Sequence, residues 1–279
     1  MDGILRTLIC GGQVSLVTIN ATELVNRAIE IHKTSPEASK ILGGLLVCGA
    51  YFSCGLKEKT GSVSITVKAK DGDGAVSVSA DAAMHVRGYA DGACTQTLAG
   101  GTLTVVREDG FSQPFVGTCE IASDDISDIL ETYFGQSEQI PTAVAISVNI
   151  NENGRCDFAG GVVMQLLPNA EQAQIDVAGD LFYVFKSKLE VTNFANSNED
   201  FSAQGILNLF KPANLGEVNA SVPAYICNCS EHKIRGVLSA VGREELLEIC
   251  KERGEVRVHC HYCNKDYIYD AELIEEIFG

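Results

Sequence analysis

The chain has 279 residues, 46% of them apolar and 21% charged, enough for one large domain or two around packed cores. Lys and Arg number 21 against 37 Asp and Glu, a formal charge of −16. That balance excludes a surface built for nonspecific nucleic-acid binding or for an anionic membrane. Asp2 stands where a secretory leader would be basic, and no cleavage pattern follows, so a cytoplasmic location is expected. Residues 41–56 form the longest apolar run, which carries four glycines. It falls short of the ~20 residues of a membrane span and reads as a buried helix.

The first helix is expected over residues 22–32, with Thr22 as N-cap and Leu24, Ala28 and Ile31 on one face. "TSPEASK" starts the second: Ser35 caps it, Pro36 takes the first turn and Glu37 complements the dipole. Its continuation holds Gly43, Gly44, Cys48 and Ala50, small residues suited to close packing. From Ser62 the period changes to two, and "SVSITVKAK" and "AVSVSAD" around "DGDG" read as a hairpin. Further strands are expected at 103–107, 115–121, 143–149 and 156–165, the last two joined by "NENG". Between them a helix starts at Ser123, with Ile126, Ile129, Leu130 and Tyr133 apolar and Asp124, Asp125 and Asp128 as a solvated start. Strands and helices do not alternate regularly, which predicts an α+β fold.

After Pro168 the strand signal stops, and "AEQAQIDVAG", "DLFYVFKSKLEV" and "DFSAQGILNLF" read as helices joined by polar turns such as "NFANSNED". The expected organisation is an N-terminal α+β core domain (1–178), a helical middle segment (179–224) and a small C-terminal domain (225–279). In the last, Ser230 caps a short helix to Ala240, and "REELLEICKERG" is a second helix with Gly254 just past its end. "EVRVHCHYCNKDYIY" reads as strand, turn, strand, and "DAELIEEIF" as a closing helix.

The chemistry concentrates in "CNCSEHK" at 227–233 and "CHYCNKDY" at 260–267, a Cys-x-Cys and a Cys-x-x-Cys thirty residues apart. Eleven cysteines without a leader point to a reducing compartment, where such pairs bind metal or do redox chemistry. A unit this small buries too little surface to be stable on packing alone. A zinc ion on Cys227, Cys229, Cys260 and Cys263 supplies the deficit, since zinc takes four tetrahedral thiolates and a hairpin turn presents two. A Cys-x-Cys disulfide closes a small strained ring that is easily reduced, so the same thiols have the chemistry of a reversible switch. His259 and His261 flank a ligand and are read as bystanders. Cys10, Cys48, Cys54, Cys94, Cys119, Cys156 and Cys250 read mostly as inert core residues. Cys250 lies between the two pairs and shares a helical face with Leu246 and Leu247.

These residues resemble the heat shock protein 33 family of redox-regulated chaperones. The resemblance rests on the two cysteine pairs with "NKDYIYD", and on "RGYADG", "GGTLTV", "ETYFGQSEQIPT" and "AGGVVMQLLP" in the family's order. It implies an ATP-independent holdase that is not an enzyme and is inactive while reduced and zinc-loaded. Oxidation would pair Cys227 with Cys229 and Cys260 with Cys263 and release the zinc. The middle segment would then unfold and expose apolar surface to unfolding or oxidatively damaged client proteins. Candidates for that surface are Phe182, Tyr183, Phe185, Leu189, Phe194, Phe201, Ile206, Leu207 and Phe210. The resemblance also implies homodimerisation on activation.

Other readings are weaker. "DGDG", "GGTL" and "AGGVV" match no phosphate loop and read as turns and close strand contacts. "SEQ" at 137–139 has no positioned histidine and is no nucleophile; His32 and His85 are isolated. A thiol–disulfide oxidoreductase would need a thioredoxin-like βαβ pattern, which is absent. A zinc-ribbon module for nucleic acid is disfavoured by seven Lys and Arg against eleven Asp and Glu in residues 227–279.

Overall fold

The chain begins with two strands that its periodicity did not reveal, β1 (Gly3–Ile9) and β2 (Val14–Asn20), paired antiparallel with Ile4 opposite Ile19. The computed structural model describes all residues except 71–73, 92–96, 196, 198 and 279, and it divides into two compact units, residues 1–225 and 226–279. Among the described residues no helix is long and apolar enough to cross a membrane.

Helix α1 (Thr22–His32) has the predicted bounds but not the predicted cap. Thr22 is its first residue, and its hydroxyl accepts from Ala159 N. The free N–H groups of Glu23 and Leu24 donate instead to the Asp2 carboxylate, at 2.9 and 2.7 Å. A cap supplied from twenty residues upstream leaves no local sequence signal. Helix α2 (Pro36–Cys54) is capped by Ser35 as expected and is buried along most of its length. Its small residues are contact points: a Cβ on Gly49 would lie 2.6 Å from Val78 and one on Gly44 2.7 Å from Ile126.

Strands β3 (Ser62–Lys68) and β4 (Ala75–Asp81) pair in register as the predicted hairpin; most of its "DGDG" turn lies outside the described residues. β5 (His85–Ala90), β6 (Thr102–Glu108) and β7 (Phe115–Glu120) follow, then helix α3 (Ile126–Tyr133) and a π-helical turn over Phe134–Glu138. Asp125, not Ser123, is the α3 N-cap. Asp124 is not merely solvated: it accepts from Leu98 N, Ala99 N and the Thr97 hydroxyl. Ser137 donates to the Thr118 carbonyl and has no catalytic partner. Strands β8 (Thr142–Ile150) and β9 (Cys156–Leu166) pair next.

Helix α4 (Gln172–Val191) is one helix where two were expected. Gly179 faces open space, and the buried positions Ala178, Phe185 and Leu189 continue across it, so the stripe outweighs the roughly 1 kcal/mol of a mid-helix glycine. Helix α5 (Ala203–Leu209) is capped by Ser202, and two short strands end the unit, β10 (Asn219–Ser221) and β11 (Ala224–Tyr225).

The strands form a five-stranded sheet, β10-β1-β2-β9-β8, and a six-stranded one, β11-β5-β4-β3-β6-β7. One core holds α1, α2 and α3 together with residues of both sheets. A second core covers the other face of the five-stranded sheet with α4 and α5. In β9, Ala159 and Val163 enter the first core, while Phe158, Val162 and Met164 enter the second. Strands buried on both faces lose the polar half of the alternation, which is why β2 gave no period-two signal. The glycines of "AGGVV" are close strand contacts, as expected: side chains at Gly160 and Gly161 would strike the carbonyls of Ile19 and Ala145.

The second unit comprises α6 (Glu231–Val241), α7 (Arg243–Arg253), the hairpin β12 (Val256–Cys260) and β13 (Lys265–Tyr269), and α8 (Ala271–Phe278). Gly254 ends α7 at φ +86°, as predicted. Its buried core is Leu238, Leu246, Cys250, Val256, Tyr267, Tyr269 and Ile274.

Candidate metal centre

Cys260 is the last residue of β12, and Cys263 sits in the turn that follows. The turn closes through Asn264, whose backbone is left-handed at φ 59° and whose N–H donates to the Cys260 carbonyl at 2.8 Å. An asparagine tolerates that conformation better than most residues. Cys227 and Cys229 lie on the segment leading into α6, where Ser230 caps the helix by accepting from Lys233 N. Hairpin turn and helix entry thus bring both pairs to one point.

The four sulfurs lie within 4.8 Å of one another. Two close contacts cross between the pairs, 3.6 Å for Cys227–Cys260 and 3.3 Å for Cys229–Cys263. A tetrahedral zinc with ~2.3 Å bonds needs sulfurs about 3.8 Å apart, so small adjustments complete the geometry. The donor set, four partly exposed thiols and no oxygen, suits zinc among common ions. His259 and His261 are outside the cluster; His259 Nδ1 pairs with Asp266 at 2.7 Å.

Electrostatics single out one thiol. Burial opposes ionisation of Cys229, but hydrogen bonds from Tyr267 and from the Cys263, Cys227 and Cys260 thiols outweigh it and bring the thiol down to about 7. Burial pushes Cys227 up to about 11, and Cys263 upward also. The Tyr267 hydroxyl donates to Cys229 Sγ at 3.2 Å, a second contact layer that the sequence reading missed. Tyr269, two residues on, donates to Glu231 of α6 at 2.9 Å. Both tyrosines stand on the same face of β13, the only hint the "YIY" alternation offers.

Cys250 is turned away from the cluster: it is buried beside Leu246, and its sulfur faces the Tyr269 carbonyl at 3.8 Å. Cys10, Cys48, Cys119 and Cys156 are buried, Cys54 is half-buried, and Cys94 lies outside the described residues.

The candidate client residues lie on α4, on α5 and in the segments beside them, and most are covered. Phe185, Phe210, Ile206, Leu207, Leu189 and Phe201 are buried against the five-stranded sheet. Phe194, half-buried, stacks on Phe158 of β9 at 4.4 Å and meets Phe201 at 4.9 Å. Phe182 packs at the edge, and Tyr183 is 72% exposed. Two polar side chains of β2 hold this cover in place: the Thr18 hydroxyl and the Asn20 amide donate to the Ala203 and Phe201 carbonyls, each at 2.8 Å.

The model of the Hsp33 protein family matches residues 2–270. A 33 kDa chaperonin from Clostridium tetani is 30% identical, over 99% of this chain and 97% of its own. One from Lachnoclostridium phytofermentans is 27% identical over 99% and 98%. The crystal structure of the 33 kDa chaperonin, a heat shock protein 33 homolog, from Thermotoga maritima superposes with a TM-score of 0.85 at 25% identity, over 99% of this chain and 97% of that one. With a family match over almost its whole length, the chain belongs to the Hsp33 family.

Proposed function

We propose that this member of a chaperone family is a redox-regulated, ATP-independent holdase, resting when reduced and zinc-loaded. The carrying observation is a four-sulfur cluster at the edge of a unit whose buried core is only a handful of side chains. Bound to Cys227, Cys229, Cys260 and Cys263, zinc would cross-link the helix entry to the hairpin; structural sites of this kind contribute ~10–16 kcal/mol in small peptides. Oxidation of the four zinc-held thiolates to two disulfides, Cys227–Cys229 and Cys260–Cys263, would give up four electrons. Two equivalents of peroxide, with four protons from solvent, take them up as four waters. Disulfide sulfurs no longer offer thiolates, so the cross-link is lost and the small unit unfolds.

Cys227 follows β11 by two residues, so unfolding reaches the strand pairings of 219–225 along the chain itself. Loosening of α4 and α5 then frees the phenylalanine-rich face for unfolding client proteins. We place this activity in the cytoplasm and expect the activated form to be a homodimer. The test joins metal release to function. Reduced, zinc-loaded protein is treated with peroxide at mild heat, zinc is followed with a chelating dye, and client aggregation by light scattering. About one zinc per chain should leave as suppression of aggregation rises; release without suppression contradicts the reading.

A further inference from the structure

Away from the sulfur cluster, the first unit carries a cavity of about 380 Å³ between β1, β2, the end of α2, β6 and the π-helical turn. The volume is that of a small-molecule site. Its inner wall is aromatic: Tyr51, Phe52 and Phe134 line it, with Phe52 and Phe134 buried and stacked at 5.6 Å. Its outer lining is cationic. Arg6, Lys57 and Arg107 face it against one carboxylate, Glu138. Glu138 is committed to Arg107 at 2.9 Å. Arg6 and Lys57 are exposed and have no ion-pair partner among the described residues. In a chain of charge −16, two uncommitted cations over an aromatic pocket are a local inversion of the surface field.

We infer that this cavity is a binding site for a small organic carboxylate with an apolar, ring-sized body. The body would replace water on Tyr51, Phe52 and Phe134, while Arg6 and Lys57 receive the carboxylate. The Arg107 guanidinium lies 5.9 Å over the Phe52 ring, which brings cationic charge to the aromatic wall. Cys54 also lines the cavity; burial pushes its thiol up to about 11, so at neutral pH it adds no competing negative charge. A phosphate is the poorer fit. The cavity meets the C-terminal end of α2, and no glycine-rich loop or helix N-terminus supplies the backbone amides that phosphates take.

The probe is 2-naphthoate, titrated calorimetrically into the reduced, zinc-loaded full chain, with uncharged 2-naphthamide alongside. Naphthoate should bind saturably at one per chain, and the amide at least about tenfold more weakly, as loss of a charge-assisted contact implies. Lys57→Ala and Arg6→Ala should each weaken naphthoate, the double variant by about tenfold or more, with unchanged melting temperatures because both side chains are exposed. Lys59→Ala, exposed and outside the lining, should bind as the parent does. Absence of saturable binding at millimolar probe, equal binding of the amide, or an unaffected double variant overturns the assignment.

Discussion

Cys250 shows how one residue's orientation sets a thiol apart from the sulfur cluster. It lies in sequence between the two cysteine pairs, where a third partner invites wrong disulfides, yet its side chain is buried in the small core against Leu246. Cys250→Ala should therefore leave metal stoichiometry at one per chain, destabilise the second unit on the order of 1 kcal/mol, and leave the disulfide map after oxidation unchanged. Loss of metal in that variant, by elemental analysis, contradicts the placement. Tyr267 makes the opposite case, a residue outside the four-cysteine cluster that tunes one of its sulfurs. Its hydroxyl helps lower Cys229 to about 7 from an ordinary 9, so the thiolate is present above about pH 7. Tyr267→Phe removes that donor and moves the ionisation upward. On acidification the variant should lose metal at a higher pH than the parent, read as bound zinc against pH. Identical curves would show that the hydroxyl does not act on the sulfur.

Elements whose signal is local were legible in the chain, and those that depend on distant partners were not. The cap and first turn of α2, the β3–β4 alternation, the β8–β9 pair and the Gly254 stop need only neighbouring residues, and each stands where the sequence put it. Strands β1 and β2 escaped because β2 is apolar on both faces, and the α1 cap escaped because Asp2 supplies it across the fold. The glycines of β9 were legible as close contacts, though not what they touch. Gly160→Ala sets a methyl against the Ile19 carbonyl and should cost about 3 kcal/mol or more in denaturant unfolding of the first unit. The cover formed by α4 and α5 makes a separate prediction. Phe210 is fully buried there, and Phe210→Ala should cost ~3–5 kcal/mol. Because it touches no cysteine of the cluster, zinc content should stay whole while the reduced variant already suppresses client aggregation. A reduced Phe210→Ala protein that remains inactive would separate this face from client binding.

For the whole molecule, the candidate site was readable from spacing because a metal demands ligand types and intervals that leave a mark in sequence. The helix entry and the hairpin converge on one point, where the sulfurs of Cys227, Cys229, Cys260 and Cys263 lie within 4.8 Å of one another. What spacing does not encode is the contact layer: the Tyr267 hydroxyl, the inward turn of Cys250, and the Thr18 and Asn20 side chains that hold α5 to the sheet. Those depend on the register of distant segments. In the proposed switch, a small core beside a sulfur cluster is joined to an apolar face under a short helical cover. Amide hydrogen exchange, mapped before and after peroxide treatment, tests that join most directly. Protection should collapse through residues 226–279 and in α4 and α5, and persist in β2, β9 and α2. Retained protection in α4 and α5 of an oxidised protein that suppresses aggregation would contradict it.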